Sequence, residues 1–508
     1  MSDYTGASFR DRLSLRRAAV LLSVLSALVL VVGGGSLLDA RSASPPVATA
    51  AVAGRTSAVC TVGTGDAGAG PSPGPSPSPD RTPGEDAATS TVSAVAVGQA
   101  GTTAAGRLTG APVGATGGQL EVTEPGTGAQ QASVRVPLVL TGEGGLAAAG
   151  SGTVSATADT GETAGLMAAP CLVPATEQWF VGVGSVEADR TELILTNPDD
   201  AQAEVDLRFY GPQGRVVVPG SPGVVVGGRS SRAVAVSSLV DSAGPLSVAV
   251  RASEGRVSVA ARRVRTDALE PAGADWQVPS VAPAPSVVVA GVPGDVGPRS
   301  LEVVNPGPDR ASVSVEVLGL SGPFAPAGAE TVEIAPESTA SVALEAGLAG
   351  EAASVRLSST TPVSAAVVST SSRDGAQPDL AVQSAMPPLV RQGVSALGTT
   401  TGRTASELVL SNGGDADAQV AFRVLSYTGV VLREDKILLG AGGSATRRLT
   451  SPAPSYVVVD VPEGSAVVGS VTLTQPEGDV AGLATVPLTS PDVAGRAPSL
   501  VQDPAVGR

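Results

Sequence analysis

One phrase occurs three times in this chain, and it constrains the fold more tightly than any other feature. It reads Glu192-Leu193-Ile194-Leu195-Thr196-Asn197-Pro198, then Leu301-Glu302-Val303-Val304-Asn305-Pro306, then Glu407-Leu408-Val409-Leu410-Ser411-Asn412-Gly413. The asparagines Asn197, Asn305 and Asn412 lie 108 and 107 residues apart (305 − 197 and 412 − 305), a period well beyond the roughly 20 to 50 residues of solenoid repeats. The repeated object is therefore a domain. Six residues after each asparagine an alternating run starts: Ala203, Val205, Leu207, Phe209; then Ala311, Val313, Val315, Val317; then Ala418, Val420, Phe422, Val424. Apolar residues at period two describe a strand with one face on a core and the other in water.

At 508 residues the chain holds three or four domains of ordinary size. Aromatic residues make up only 2%, so β-branched and small side chains must fill the cores, which favours small β domains. About seven short strands per repeat, separated by turn signals, predict tandem immunoglobulin-like two-sheet sandwiches. We place these at 175–285, 286–390 and 391–490, followed by a loose tail at 491–508. Late in each repeat the sequence predicts a hairpin, turning at Ser253-Glu254-Gly255, Thr360-Thr361-Pro362 and Pro462-Glu463-Gly464. In the first repeat, 237–243 reads as a short helical turn.

Before the repeats the pattern changes. Residues 1–17 are polar and carry Arg10, Arg12, Arg16 and Arg17, and the apolar run 18–38 follows at once. Twenty-one residues make about 31 Å of helix at ~1.5 Å per residue, enough to cross a bilayer. The arginines before the run place the N-terminus in the cytoplasm and the bulk of the chain outside. A cleaved signal peptide is the competing reading, with Ala48-Thr49-Ala50 and Ala51-Val52-Ala53 as cleavage sites, but both lie far beyond the apolar run. Residues 39–174 read as an irregular N-terminal β domain interrupted by a Pro/Ser-rich disordered insert at 63–90, a tolerated loop expansion whose Ser/Thr/Pro content would also suit O-linked sugars. Cys60 and Cys171 are the only cysteines, and an even count outside the membrane predicts a disulfide between them.

A net charge of −15 opposes nucleic-acid binding, which needs a basic face. Histidine is absent, which removes the commonest general base and zinc ligand. G-x-S-x-G and phosphate-cradling glycine loops are missing, and the lone Lys436 lies in a charged turn, not beside a nucleophile. Acidic residues after each phrase, Asp199 and Asp200, Asp309, and Asp415 and Asp417, suggest calcium ligands, although their spacing differs in each copy and Asp is also a turn former. Trp179 and Trp276 read as core residues or as sugar-stacking platforms. Arg262, Arg263 and Arg265 read as a solvated strand end or as contacts for an anionic polymer.

The segment Cys171-Leu172-Val173-Pro174-Ala175-Thr176-Glu177-Gln178-Trp179-Phe180-Val181-Gly182, with 191–198 after it, resembles the uncharacterised actinobacterial family DUF5719. The resemblance implies an envelope location and transfers no catalytic residue. Gln178 stands where a second aromatic is expected, and the third phrase ends in Asn412-Gly413 instead of Asn-Pro. The expectation is a non-enzymatic, membrane-anchored envelope protein without cofactors, which contacts the membrane through 18–38 and binds wall polymer or another envelope protein. Its oligomeric state stays open. A carbohydrate-binding protein and an exported hydrolase are the alternatives.

Overall fold

Alternating apolar side chains need a sheet with a covered face, and the computed structural model is built of antiparallel sheets throughout. It describes residues 54–62, 89–98 and 105–491, less 116, 243, 269, 295–296, 345–347, 349, 399–403 and 452. The predicted cytoplasmic tail 1–17, the apolar run 18–38, the insert up to residue 88 and the tail from 492 onward lie outside the described residues. The last two residues assigned to the insert instead open the strand Thr89–Ala96. Among the described residues no helix is long and apolar enough to cross a membrane. The predicted helical turn is one turn of 3-10 helix at Val236–Ser238.

The N-terminal unit has two four-stranded sheets. One runs Arg55–Cys60, Leu138–Gly144, Gly106–Pro112, Leu120–Val122; the other runs Thr127–Val134, Thr89–Ala96, Gly150–Ala158, Gly165–Pro170. Each repeat follows one plan. In the first, the phrase strand Asp189–Asn197 lies between Ser230–Ala235 and Ser258–Asp267, with Glu270–Gln277 beyond. The alternating strand Ala203–Gly211 lies in the facing sheet, between the short outer strands Gly214–Val216 and Val224–Val226 and the long strand Leu246–Glu254, with Glu177–Val183 beyond. The facing apolar sides close on each other in a core that includes Phe180, Leu195, Phe209 and Val259.

The late strand pair of each repeat is not a hairpin. Leu246–Glu254 pairs with the alternating strand and Ser258–Asp267 with the phrase strand, so the connection at Gly255 (φ 71) arches from one sheet to the other. Ser455–Asp460 and Val467–Thr474 divide in the same way in the third repeat. In the second repeat the chain does not turn at all. One 19-residue strand, Ala353–Ser371, serves both sheets. Pro362 sits in the stretch 359–362, which pairs with neither sheet, so its missing N–H deprives no ladder.

The expectation of sandwiches strung along the chain also needs correction, because the four units close into a ring. Their last strands, Gly165–Pro170, Glu270–Gln277, Asp379–Met386 and Leu483–Pro487, pack each against the next and the fourth against the first. Leu166 and Ala168 of the N-terminal unit join the core of the third repeat. Val95 and Val97 pack on Val394, Tyr456 and Val458, and Trp276 and Val278 of the first repeat join the N-terminal core. The last strands can be apolar on both faces because both are covered; all five side chains of Leu483–Pro487 are buried.

Candidate functional site

The three asparagines occupy one environment, built the same way each time. Asn197, Asn305 and Asn412 are each no more than 1% exposed. Each side-chain oxygen accepts the N–H two residues on, from Asp199, Gly307 and Gly414, at 3.0 Å. Each Nδ2 donates to the carbonyl four residues on, of Ala201, Asp309 and Ala416, at 2.7 Å. It donates again across the sandwich, to Val226 (3.3 Å), Ala335 (3.1 Å) and Gly440 (3.3 Å). A short amide with both donor and acceptor capacity is the group that can do this. Pro198, Pro306 and Gly413 play no part in these bonds, so glycine in place of proline leaves them intact, and the Gly413 N–H donates instead to the Ala466 carbonyl at 2.9 Å.

At the centre of the ring lie two carboxylates that the sequence did not single out. Asp379 is fully buried and accepts one backbone N–H from each of the four units: Leu166 at 2.8 Å and Leu483 at 2.9 Å on Oδ2, Ala274 at 3.2 Å and its own Leu380 at 2.9 Å on Oδ1. The four donors hold equivalent places, each following Gly165, Gly482, Gly273 or Asp379 itself. A Cβ on Gly165 would lie 2.5 Å from Asp379 Oδ1, and one on Gly273 (φ 113) would lie 2.4 Å from the Leu380 nitrogen, so these positions admit only glycine. Burial pushes the Asp379 carboxyl up to about 7, against the pull of the four N–H donors.

Asp275 repeats the device with the N–H groups two residues further along three of the four strands. It is also fully buried and accepts from Ala168 (3.4 Å) and Val382 (3.0 Å) and from the Trp276 backbone. Burial raises it well above the usual carboxylate range, and the Asp379 charge adds to the rise. Sealed from solvent and saturated by backbone donors, the pair is placed to join strands and not to meet a substrate.

Most of the other candidates find partners within the protein. Asp199 takes a two-pronged bond from Arg256 (2.8 and 3.0 Å), Asp200 pairs with Arg229, and Asp417 caps the Ala441 N–H at 3.1 Å. Asp309 is exposed, and Asp415 stands 3.7 Å from Arg356. Among the described residues no group of three potential metal ligands occurs. The arginine cluster is not a solvated strand end. Arg263, with its side chain 7% exposed, grips Asp189 through Nε and Nη2 (2.8 and 2.6 Å) and donates Nη1 to the Gly182 carbonyl (2.6 Å). Arg265 adds a bond to Asp189 at 3.1 Å, and Arg262 bonds Glu192 at 2.7 Å. Burial opposes ionisation of Asp189, but Arg263 and Arg265 hold it below its usual range.

Both tryptophans are buried, Trp179 at 4% and Trp276 at 2% exposure. Trp179 stacks on Tyr210 (centroids 5.7 Å apart) between the first and second repeats. Lys436 is exposed on the outer strand Val431–Leu439. Cys60 and Cys171 are joined in a disulfide inside the N-terminal core.

A shallow polar groove of about 460 Å³ lies where the second repeat meets the third, lined by Ser286, Ser314, Glu316, Arg356, Ser358 and Asp415 among others. Arg356 is among its lining residues, bonded to Glu316 and, at 2.9 Å, to the Gly413 carbonyl. The groove presents hydroxyls and carboxylates, and no aromatic face.

Comparison with the curated proteins finds no match. The family of unknown function DUF5719 matches residues 122–446, more than half of the chain, from the N-terminal unit into the strand Ser444–Leu449 of the third repeat. The chain belongs to the DUF5719 family.

Proposed function

We propose that this chain is a non-enzymatic, membrane-anchored protein of the cell envelope, whose ring of β units binds and spaces other envelope components. The observation that carries the location is the bond between its only two cysteines, which persists in oxidising compartments and is rare in the cytosol. The apolar run 18–38 supplies the anchor in this reading. A binding and spacing role draws support from the axial carboxylates, whose perturbed ionisation is spent on joining strands. We read the units as immunoglobulin-like at their centre, where the phrase strand and alternating strand lie in facing sheets. The first strand of a unit and the strand that pairs with the phrase strand late in it, Glu177–Val183 and Ser258–Asp267 in the first repeat, exchange sheets relative to that fold, in which the first flanks the phrase strand's counterpart. Glu270–Gln277 is additional to its seven strands. The carbohydrate-binding alternative loses its aromatic platforms, since both indoles are buried.

Trapping thiols in intact cells tests the location. Denatured chain should take up maleimide at both cysteines only after reduction, and it should fractionate with the membrane. Free cysteines in a soluble cytosolic fraction would refute the reading. In-cell cross-linking followed by partner identification then tests the role, with envelope polymer or protein as the expected catch.

A further inference from the structure

The three repeats differ in what they leave on the outer side of the facing sheet, near where each meets the next unit. The fourth residue of the alternating strand heads a row across three strands there: Asp206, Arg251 and Glu177 in the first repeat, Ser314, Ser358 and Ser286 in the second, Ala421, Asp460 and Gln392 in the third. Two of these rows bond within themselves. Arg251 bonds Glu177 at 2.9 Å, and Gln392 bonds Asp460 at 2.7 Å. The three serines are exposed, and among the described residues none of their hydroxyls has a partner.

The row beside it, headed by Arg208, Glu316 and Arg423, ends in Trp179, Val288 and Val394 in turn. Trp179 stacks on Tyr210 and packs with Val304 of the second repeat. Val394 packs with Tyr456 on Val95 and Val97 of the N-terminal unit, so both of these junctions are filled. Val288 is smaller and only half-buried, and it faces Gly413, where a Cβ would lie 3.2 Å from its Cγ2. The second junction has no bulky side chain at this place and stays open as the groove of about 460 Å³, a size within the roughly 300–1,000 Å³ of small-molecule sites.

The lining of the groove favours one chemistry. Arg356 spends Nε and Nη2 on Glu316 Oε2 and Nη1 on the Gly413 carbonyl, and stands 3.7 Å from Asp415. The guanidinium is thereby neutralised, and an anionic polymer finds no free positive charge. Glu316 is spent likewise and the Asp415 side chain is fully in water, so a bare cation gains little. The lining residues include no large apolar or aromatic side chain, which leaves no seat for an acyl chain. What the groove offers is three hydroxyls, each both donor and acceptor, with the second oxygen of Glu316 and the remaining N–H groups of Arg356. Sugar hydroxyls match that set without needing an aromatic platform. The serine row spans about 10 Å, two strand spacings of ~4.8 Å, more than one sugar ring. Each such bond adds little on balance, which suits a polymer that repeats the contact along its length. We infer that the groove between the second and third repeats holds a segment of an uncharged, diol-rich saccharide of the cell wall, with Ser286, Ser314 and Ser358 as its principal contacts. The inference rests on the envelope reading above and names the component bound.

The test is pelleting of the full chain, in detergent micelles, with walls purified from the cells that make it and freed of protein. The chain should pellet with the walls, and oxidation of their vicinal diols by periodate followed by borohydride should abolish the binding. S286A/S314A/S358A removes three surface hydroxyls and should bind about tenfold more weakly or worse, with an unchanged thermal midpoint. S286T/S314T/S358T keeps the hydroxyls and should bind within about threefold of wild type. No pelleting, pelleting that survives periodate, alanine binding like wild type, or threonine binding as weakly as alanine would each overturn the inference. With the cysteines bonded and the chain in the membrane fraction, any of these outcomes would leave the proposed location standing.

Discussion

Replacing Asn197 by alanine tests the repeated corner where the molecule supplies its own probe, because Trp179 and Trp276, the only tryptophans, belong to the same repeat. The substitution strands three backbone groups: the Asp199 N–H and the carbonyls of Ala201 and Val226. Ala201 is exposed and its carbonyl regains water, whereas Val226 is buried. Leaving a buried polar group unsatisfied costs about 1–3 kcal/mol, so the two poorly rehydrated groups put the loss near ~3 kcal/mol. In guanidinium, with a slope of about 4 kcal/mol/M, the midpoint read by tryptophan fluorescence should fall by about 0.7 M. Asn197→Asp keeps the acceptor for Asp199 but sets a carboxylate against two carbonyl oxygens, and should be no more stable than Asn197→Ala. A fall below about 0.1 M for alanine, or aspartate behaving as wild type, would refute the account of the corner.

Asp379 predicts a pH dependence of definite sign. Its carboxyl lies near 7 in the folded chain against an ordinary 3.8, so the stability it contributes is fully present below about pH 4 and declines as pH rises to about 7, by up to about 4 kcal/mol. Asp379→Asn lacks this decline, so its deficit against wild type should shrink from pH 4 to pH 8; parallel stability curves over that range would contradict the assignment. Arg263→Ala leaves Asp189 without its main partner in a largely buried setting and should cost about 3–5 kcal/mol by the same fluorescence assay, whereas a loss under about 1 kcal/mol would mean that the pair is solvated. Replacing Cys60 and Cys171 by serine opens a loop of 111 residues and should cost about 5 kcal/mol in the chain-entropy account, seen as a lower thermal midpoint that wild type reproduces under reductant.

Much of each unit was legible in the sequence because it rests on local periodicity. The phrase and the alternating run after it fix two strands, one in each of two facing sheets, and the asparagine between them marks the corner. What could not be read is how the units meet. The ring depends on last strands that are apolar on both faces, and such runs carry no period to say what covers the second face. A signal was nevertheless present. Asp275 interrupts an apolar run, and Asp379 opens one at the place where the other three last strands have Gly165, Gly273 and Gly482. Charge within a buried strand is rare enough to mark a junction. The late hairpins failed for a related reason: Gly255 and Gly464 mark a sharp change of direction, but a turn residue does not tell whether the chain returns to its own sheet or crosses to the opposite one.

Closure of the ring is tested most directly between its two ends in sequence. Ser151 of the N-terminal unit and Thr489 at the end of the third repeat place their hydroxyl oxygens 3.1 Å apart. Ser151→Cys with Thr489→Cys, oxidised in dilute solution, should yield a peptide cross-linked between the two introduced sulfurs in monomeric chain. The pair Ser411→Cys with Ser444→Cys, within the third repeat at 2.5 Å, serves as the positive control. A linked control with no link between residues 151 and 489 would show units strung along the chain and would contradict the ring.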